Sequence, residues 1–472
     1  MFKGYNTDDK LQEECGVIGI YNSDGEGVAD KLCYGLLALQ HRGQESAGIA
    51  VSSGDKVDYH KDMGLVTEVF NKEIVSKLKG NIGIGHVRYS TTGDSHVHNA
   101  QPLVVKYRNG SISLAHNGNL VNANTVREML EDEGVVFQTS TDSEVVANLM
   151  ARYHKNGIEK SIKKVMGLLK GAYALTIMTD NKLIAVRDPH GLRPLCVGKT
   201  KSGYAVASES CALDTIGAEL IRDVEPGEIL VIDENGLNSV SHDKWCRKSL
   251  CVFELIYFAR PDSLMDETDI YKSRREAGKI LAREYPVDAD VVISVPDSGT
   301  AAAIGYAEES GIPYTEGLIK NRYIGRTFIQ PTQQLREQGV KLKLNVVHEN
   351  IRGKRVILVD DSIVRGTTSR RIVDMLKNAG AKEVHVRVSS PPVKYSCYFG
   401  IDTPNRQKLI AANYTVEEIT EQIHADSLGY ISIRGLIRST GKDEELQKSG
   451  FCMACFNGDY PMEVPKQSDD DN

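Results

Sequence analysis

Through the first half of the chain, short apolar runs come and go quickly between glycine- and asparagine-rich turns. CGVIGIYN from Cys15, YALTIMT, YAVASES and EILVID each have the length and composition of a strand. This alternation predicts two packed sheets flanked by helices, a four-layer sandwich. From FELIYFARPDS onward the pattern becomes α/β: a helix in TDIYKSRREAGKILAREY leads to a strand in VVISVPDSG (Val291–Gly299). Val356 to Val359 form an apolar, mostly β-branched run that reads as a buried parallel strand. After a loop, Ile372, Val373 and Leu376 recur at helical spacing, with Gly380 placed to end that helix. EVHVRVSS supplies the next strand, completing a βαβ unit of the kind that offers ligands a site at the carboxyl ends of its strands. The polar stretch Ser239–Lys248 marks the boundary, dividing residues 15–245 from 246–465.

Length and charge narrow the classes. A chain of 472 residues accommodates two to four domains, each with its own core. No apolar run reaches the roughly 18 residues of a membrane span, and the acidic start MFKGYNTDDKLQEE is no secretory signal. A net charge of −7 leaves no basic surplus for nucleic acid. Nine scattered cysteines, an odd number, do not make a secreted disulfide framework. These features predict a cytoplasmic protein that binds neither nucleic acid nor membrane. The final KQSDDDN (466–472) reads as a disordered acidic tail.

The segment VILVDDSIVRGTTS (Val356–Ser369) carries the first chemistry. Gly366 permits close backbone approach to an anion, Thr367 and Thr368 add hydroxyls, and the helix start adds N–H groups and a positive dipole end. This describes a phosphate cradle without the GK[ST] of a nucleotide P-loop. Asp360 and Asp361, at the strand end, suit ribose hydroxyls and a hydrated Mg2+. Position by position the segment resembles the phosphoribosylpyrophosphate (PRPP) motif of type I phosphoribosyltransferases. The resemblance implies that Asp360 and Asp361 bind ribose and metal, that Ser362 contacts PRPP, and that Arg365, Gly366, Thr367 and Thr368 hold the 5′-phosphate. It further places Ser298 of the PDSG turn on Mg2+, and makes Lys320, Arg322 and Arg326 the cations of a flexible loop closing over PRPP.

In the first half, LQHRGQESAGIAV, GIGHVRYSTTG, LAHNGNLVN and TSTDSEVV follow an ECG at Glu14–Gly16. In this order they resemble the glutaminase domain of N-terminal-nucleophile amidotransferases. Residues 1–14 would then be a propeptide, and its removal would leave Cys15 with both a thiol and an α-amine able to act as its base. The resemblance gives Arg88 the α-carboxylate of glutamine, Asp142 its α-ammonium, and Asn117 with the Gly118 N–H the oxyanion. Cys251, Cys397 and the terminal CMAC (Cys452, Cys455) match the iron–sulfur subgroup of the purine amidotransferases, implying one 4Fe-4S cluster per subunit with a structural role; four-cysteine zinc is the alternative. Cys33, Cys196, Cys211 and Cys246 have no such match and read as ordinary thiols.

Together the two motif sets resemble the glutamine PRPP amidotransferase family. That resemblance implies 5-phosphoribosylamine as product, made with ammonia passed through an internal channel. It also implies a homotetramer inhibited by purine nucleotides competing at the PRPP site. A PRPP-sensing regulator would need no ECG nucleophile, and a hexosamine-type amidotransferase would lack VILVDDSIVRGTTS.

Overall fold

In the strand Gly16–Asn22, Val17 and Tyr21 join one buried cluster while Ile18 and Ile20 join another. A strand covered on both faces requires layers on both sides, and the computed structural model supplies them. It describes residues 15–89, 96–108, 110–241, 247–321, 344–401, 403, 405–442 and 450–465. The proposed propeptide, Arg322, Arg326, Cys246 and the acidic tail lie outside the described residues.

One sheet runs in the order Glu219–Asp223, Cys196–Thr200, Gly203–Ala207, Gly16–Asn22, Ile82–Arg88, Ser46–Ser52 and Val57–Met63. The other runs Gly236–Ser241, Ile229–Asp233, Leu183–Arg187, Gly171–Met178, Gly110–Leu120 and Leu103–Tyr107. Both are antiparallel throughout. Val17, Ile84, Ala115, Ala174 and Val206 fill the space between them. Leu32 and Leu36 of the helix Ala29–Ala38 cover the outer face of the first sheet. Val145, Leu149 and Ile162, from the helices Asp142–Arg152 and Ile158–Met166, cover the second. The predicted αββα sandwich is present.

The second half holds a parallel sheet in the order Val291–Ser294, Arg355–Asp360, Glu383–Val388 and Ser427–Tyr430. Ile357 and Val359 pack toward the helices Ile270–Glu284 and Thr300–Ser310, while Val356 and Leu358 pack toward the helix Thr367–Asn378. Gly380 follows the end of that helix at φ +97°, as its role in ending the helix requires. The strand predicted over Val291–Gly299 is shorter, because the chain turns after Ser294 to carry the PDSG loop into the next helix. A two-residue parallel pair, Leu250–Cys251 with Phe451–Cys452, brings the carboxyl-terminal segment back to the domain boundary. No helix among the described residues is long and apolar enough to cross a membrane.

Candidate active sites

Cys15 stands immediately before the central strand of the first sheet, half-buried, with its Sγ 3.6 Å from the Tyr89 carbonyl. Burial pushes its thiol up; the Tyr89 contact and the Arg88 charge oppose this, while Asp142 and Glu45 reinforce it. Two of the sequence-predicted partners, Arg88 and Asp142, thus come to this corner from separate elements. Arg88 ends the strand Ile82–Arg88, is buried, and meets Glu45 Oε1 at 3.1 Å. Asp142 opens the helix Asp142–Arg152 and accepts from the Leu120 N–H at 3.0 Å. Burial opposes its ionisation, yet His116 and the backbone donors hold Asp142 below the ordinary carboxylate range.

Asn117 and Gly118 lie in the strand Gly110–Leu120. Asn117 is fully buried, and neither its amide nitrogen nor its oxygen has a hydrogen-bond partner among the described residues. Such a group costs stability, and an unsatisfied buried donor is the kind of group an oxyanion site requires. Gly118 adopts φ +144°, and a Cβ there would overlap the Ala172 carbonyl of the neighbouring strand. Only glycine fits.

His86, on the strand that pairs with the one following Cys15, is a further consequence of this packing. Its Nε2 is 3.0 Å from the His116 carbonyl, its Nδ1 has no partner among the described residues, and burial pushes its pKa down to about 3. The folded state therefore keeps His86 neutral while the unfolded chain takes up a proton near pH 6.5. Stability from this residue is complete above that pH and declines as pH falls toward 3. A His86→Gln variant is expected to lose less stability than the parent between pH 6.5 and 4, measured by urea unfolding at both values; equal losses would remove His86 as the cause.

Sequence reasoning assigned no role to Arg42, Glu45 or Glu209. The first two stand in LQHRGQES, but their function depends on partners distant in sequence. Arg42 Nε donates to the Cys15 carbonyl at 3.2 Å, and its Nη1 meets Glu209 Oε1 at 2.6 Å.

In the second half, the adjacent parallel strands Val291–Ser294 and Arg355–Asp360 deliver two loops to one edge. Ser298 Oγ donates to Asp361 Oδ1 at 2.5 Å, and Ser362 Oγ donates to Asp361 Oδ2 at 2.7 Å. The Asp361 N–H donates to Asp360 Oδ1 at 2.9 Å. Asp360 and Asp361 are both buried. Asp361 thus joins the two loops through Oδ1 and braces its own loop through Oδ2, a positioning task that the sequence reading did not anticipate. Gly366 caps the helix Thr367–Asn378 with φ +80°, and a Cβ there would meet Ile410 Cδ1 at 2.7 Å. Arg365, Thr367 and Thr368 flank this glycine at the amino end of the helix, the arrangement of an anion cradle. Lys320 Nζ meets Asp297 Oδ2 at 3.1 Å across a solvent-exposed gap.

The four singled-out cysteines also come together. Cys251 is the register partner of Cys452, Cys455 follows in the turn Ala454–Asn457, and Cys397 Sγ accepts from the Phe399 N–H at 3.3 Å. All four are free thiols. Burial pushes Cys251 up to about 11 against the pull of the Arg193 charge, and the neighbouring Cys397 adds to the rise. Cys452 and Cys455 are raised by burial and then by the other thiols of the group. As they stand, no three His, Cys, Asp or Glu side chains among the described residues form a group arranged to hold a metal ion. The remaining described thiols, Cys33, Cys196 and Cys211, lie in the sandwich; Cys196 and Cys211 are buried and Cys33 half-buried.

The chain matches two family models: a glutamine amidotransferase domain over residues 86–215 and a phosphoribosyl transferase domain over residues 262–401. An amidophosphoribosyltransferase of Archaeoglobus fulgidus is 54% identical over 453 residues, covering 96% of this chain and 98% of that protein. One from Bacillus subtilis is 52% identical over 455 residues, covering 96% and 95%. A solved structure described as glutamine PRPP amidotransferase from B. subtilis complexed with ADP and GMP superposes with a TM-score of 0.91 at 51% identity. It covers 96% of this chain and 99% of its own. These relatives carry both halves, so neither a stand-alone regulator nor a hexosamine-type enzyme accounts for the matches.

Proposed function

Because this chain belongs to the amidophosphoribosyltransferase family, we infer that it makes 5-phosphoribosylamine, glutamate and pyrophosphate from PRPP, glutamine and water, the first committed step of purine biosynthesis. The observation that carries this at the level of residues is the pairing of two separate centres within one chain. The Cys15 corner suits amide cleavage, and the loops around Asp361 and Gly366 suit a phosphorylated ribose. Contact between the halves is direct: Asn119, next to the oxyanion glycine, donates through Nδ2 to the Tyr398 carbonyl at 2.9 Å.

At the first centre we assign Cys15 as nucleophile toward the glutamine side-chain amide, giving a glutamyl thioester and ammonia. A thiol raised by burial needs a base, and the α-amine freed by removal of residues 1–14 would supply it. Arg88 and Asp142 would exchange their present partners for the α-carboxylate and α-ammonium of glutamine. Asn117 and the Gly118 N–H would receive the oxyanion charge. At the second centre, ammonia would attack the anomeric carbon as pyrophosphate leaves. Asp360 would accept from ribose hydroxyls, Ser298, Ser362 and Asp361 would hold the loops in register, and Arg365 to Thr368 would bind the 5′-phosphate. Lys320, with Arg322 and Arg326, would neutralise the departing pyrophosphate and exclude water.

Two inorganic groups belong to the proposal. Ser298, Asp360 and Asp361 provide the oxygen donors Mg2+ prefers, and the ion would supply charge neutralisation at pyrophosphate. Cys251, Cys397, Cys452 and Cys455 are the four thiol donors that a 4Fe-4S cluster would take, and the cluster would supply a structural tie. We further propose a cytoplasmic homotetramer inhibited by purine nucleotides at the PRPP site.

Anaerobic mass spectrometry of untagged protein, alongside a glutamate and pyrophosphate assay, tests the reading. Loss of residues 1–14 with an excess mass of four irons and four sulfurs is expected, with equal yields of the two products. A retained Met1 or Phe2 in active protein would remove Cys15's α-amine from the mechanism. Bound zinc would replace the cluster assignment, and PRPP-independent glutamate release alone would overturn the coupled reaction.

A further inference from the structure

The carbonyl of Cys15 is held by a guanidinium whose charge is balanced from both halves of the chain. Besides donating to that carbonyl, Arg42 reaches Glu254 through Nη1 at 3.0 Å and Nη2 at 2.6 Å, and Glu209 through Nη1 at 2.6 Å. All three side chains are no more than 1% exposed. Glu209 belongs to the sandwich, whereas Glu254 opens the π-helical turn Glu254–Phe258 of the second half, three residues beyond Cys251. Glu254 Oε1 also lies 3.6 Å from Arg193 Nη1, and Arg193 Nε donates to the Phe399 carbonyl at 2.9 Å. Two guanidiniums of the sandwich thus face one carboxylate, Glu254, across the domain boundary. Burial works against the Arg42 charge, but Glu254 and Glu209 outweigh it and raise its pKa further.

This arrangement has a geometric consequence. A guanidinium is planar, so fixing its two Nη groups on carboxylates also fixes the direction of the Nε–H. Here that N–H ends on the nucleophile's own backbone. Buried ion pairs contribute little net stability compared with apolar packing, while loss of one member leaves an uncompensated charge. Their benefit here is orientation.

We propose that Glu254, supplied by the phosphoribosyltransferase half, is a positioning residue for Cys15: it sets the Arg42 guanidinium that fixes the nucleophile's backbone. The glutaminase centre is then complete only with the second domain docked against it. The proposal rests on Cys15 being the nucleophile.

The test compares Glu254→Gln, Glu254→Asp and the parent full-length enzyme in two reactions: glutamine-dependent synthesis, and synthesis from ammonium at high pH, which bypasses Cys15. For Glu254→Gln the glutamine-dependent kcat is expected to fall at least about tenfold, the scale of a misplaced reacting group. KM for glutamine and the ammonium-dependent rate should stay within about twofold of the parent. Glu254→Asp, which keeps the charge, should recover part of the loss. Equal losses in both reactions would make Glu254 merely structural and overturn the proposal, as would an unchanged kcat or an effect confined to KM. If Glu254→Gln does not accumulate, Glu254→Asp and Arg42→Lys carry the same comparison. Cys15→Ala serves as the separate control: full glutamine-dependent activity there would overturn the nucleophile reading itself, whatever Glu254 does.

Discussion

Replacing Cys15 by Ala is expected to lower glutamine-dependent synthesis by at least about a thousandfold, the scale on which loss of a nucleophile usually acts. Synthesis from ammonium should persist near the parental rate. The separation follows from geometry: Cys15 sits at the start of the central strand of an antiparallel sheet, while the loops proposed to hold PRPP sit at the carboxyl edge of a different, parallel sheet. Among the described residues, truncating this half-buried thiol removes only the Tyr89 contact, so folding should be little affected. Initial rates with glutamine and with ammonium, measured on one preparation, decide it. A parallel collapse of both rates would mean that Cys15 supports the fold instead of the chemistry.

Asp361→Asn is expected to have the complementary signature, lowering both glutamine- and ammonium-dependent synthesis by about 100-fold. Asp361 accepts hydroxyl hydrogen bonds from Ser298 and Ser362 with its two oxygens. An amide retains only one oxygen as acceptor, so one serine loses its partner or the amide nitrogen must turn into a hydroxyl lone pair. Hydrogen bonds to a charged, buried group contribute about 1.5–3 kcal/mol; weakening the Ser298 bond loosens the junction of the two loops, and the substitution also removes a negative charge beside the proposed metal position. Steady-state kinetics over a Mg2+ titration checks this. Recovery of the full rate at high Mg2+ would leave only a metal-affinity role; an unaltered rate would remove Asp361 from the site.

The site was unevenly legible in the sequence. Where the local string carries the geometry, the placement was legible: Asp360 and Asp361 at a strand end, Gly366 before a helix, Cys15 before a strand. Arg42, Glu45 and Glu209 were not, because each functions through a partner many residues away. Arg42 and Glu254 are 212 positions apart, and no spacing rule links them. The loop-joining contact of Asp361 was not legible, since one of the two serine hydroxyls that occupy it comes from another loop.

What the sequence determined by itself was the order of elements, the change from sandwich to parallel α/β, and the chemical types at each centre. Period-two and helical apolar patterns are local properties, and local backbone preferences act on them directly. Only the tertiary structure decided that Leu250–Cys251 would pair with Phe451–Cys452, gathering four distant thiols. It alone set Asn119 against Tyr398 and closed the Arg42, Glu254 and Arg193 array across the boundary. Those contacts exist because two apolar cores bury their facing edges together, and the polar groups trapped between them must find partners there. A linear pattern specifies each core; it does not specify which charges meet where the cores meet.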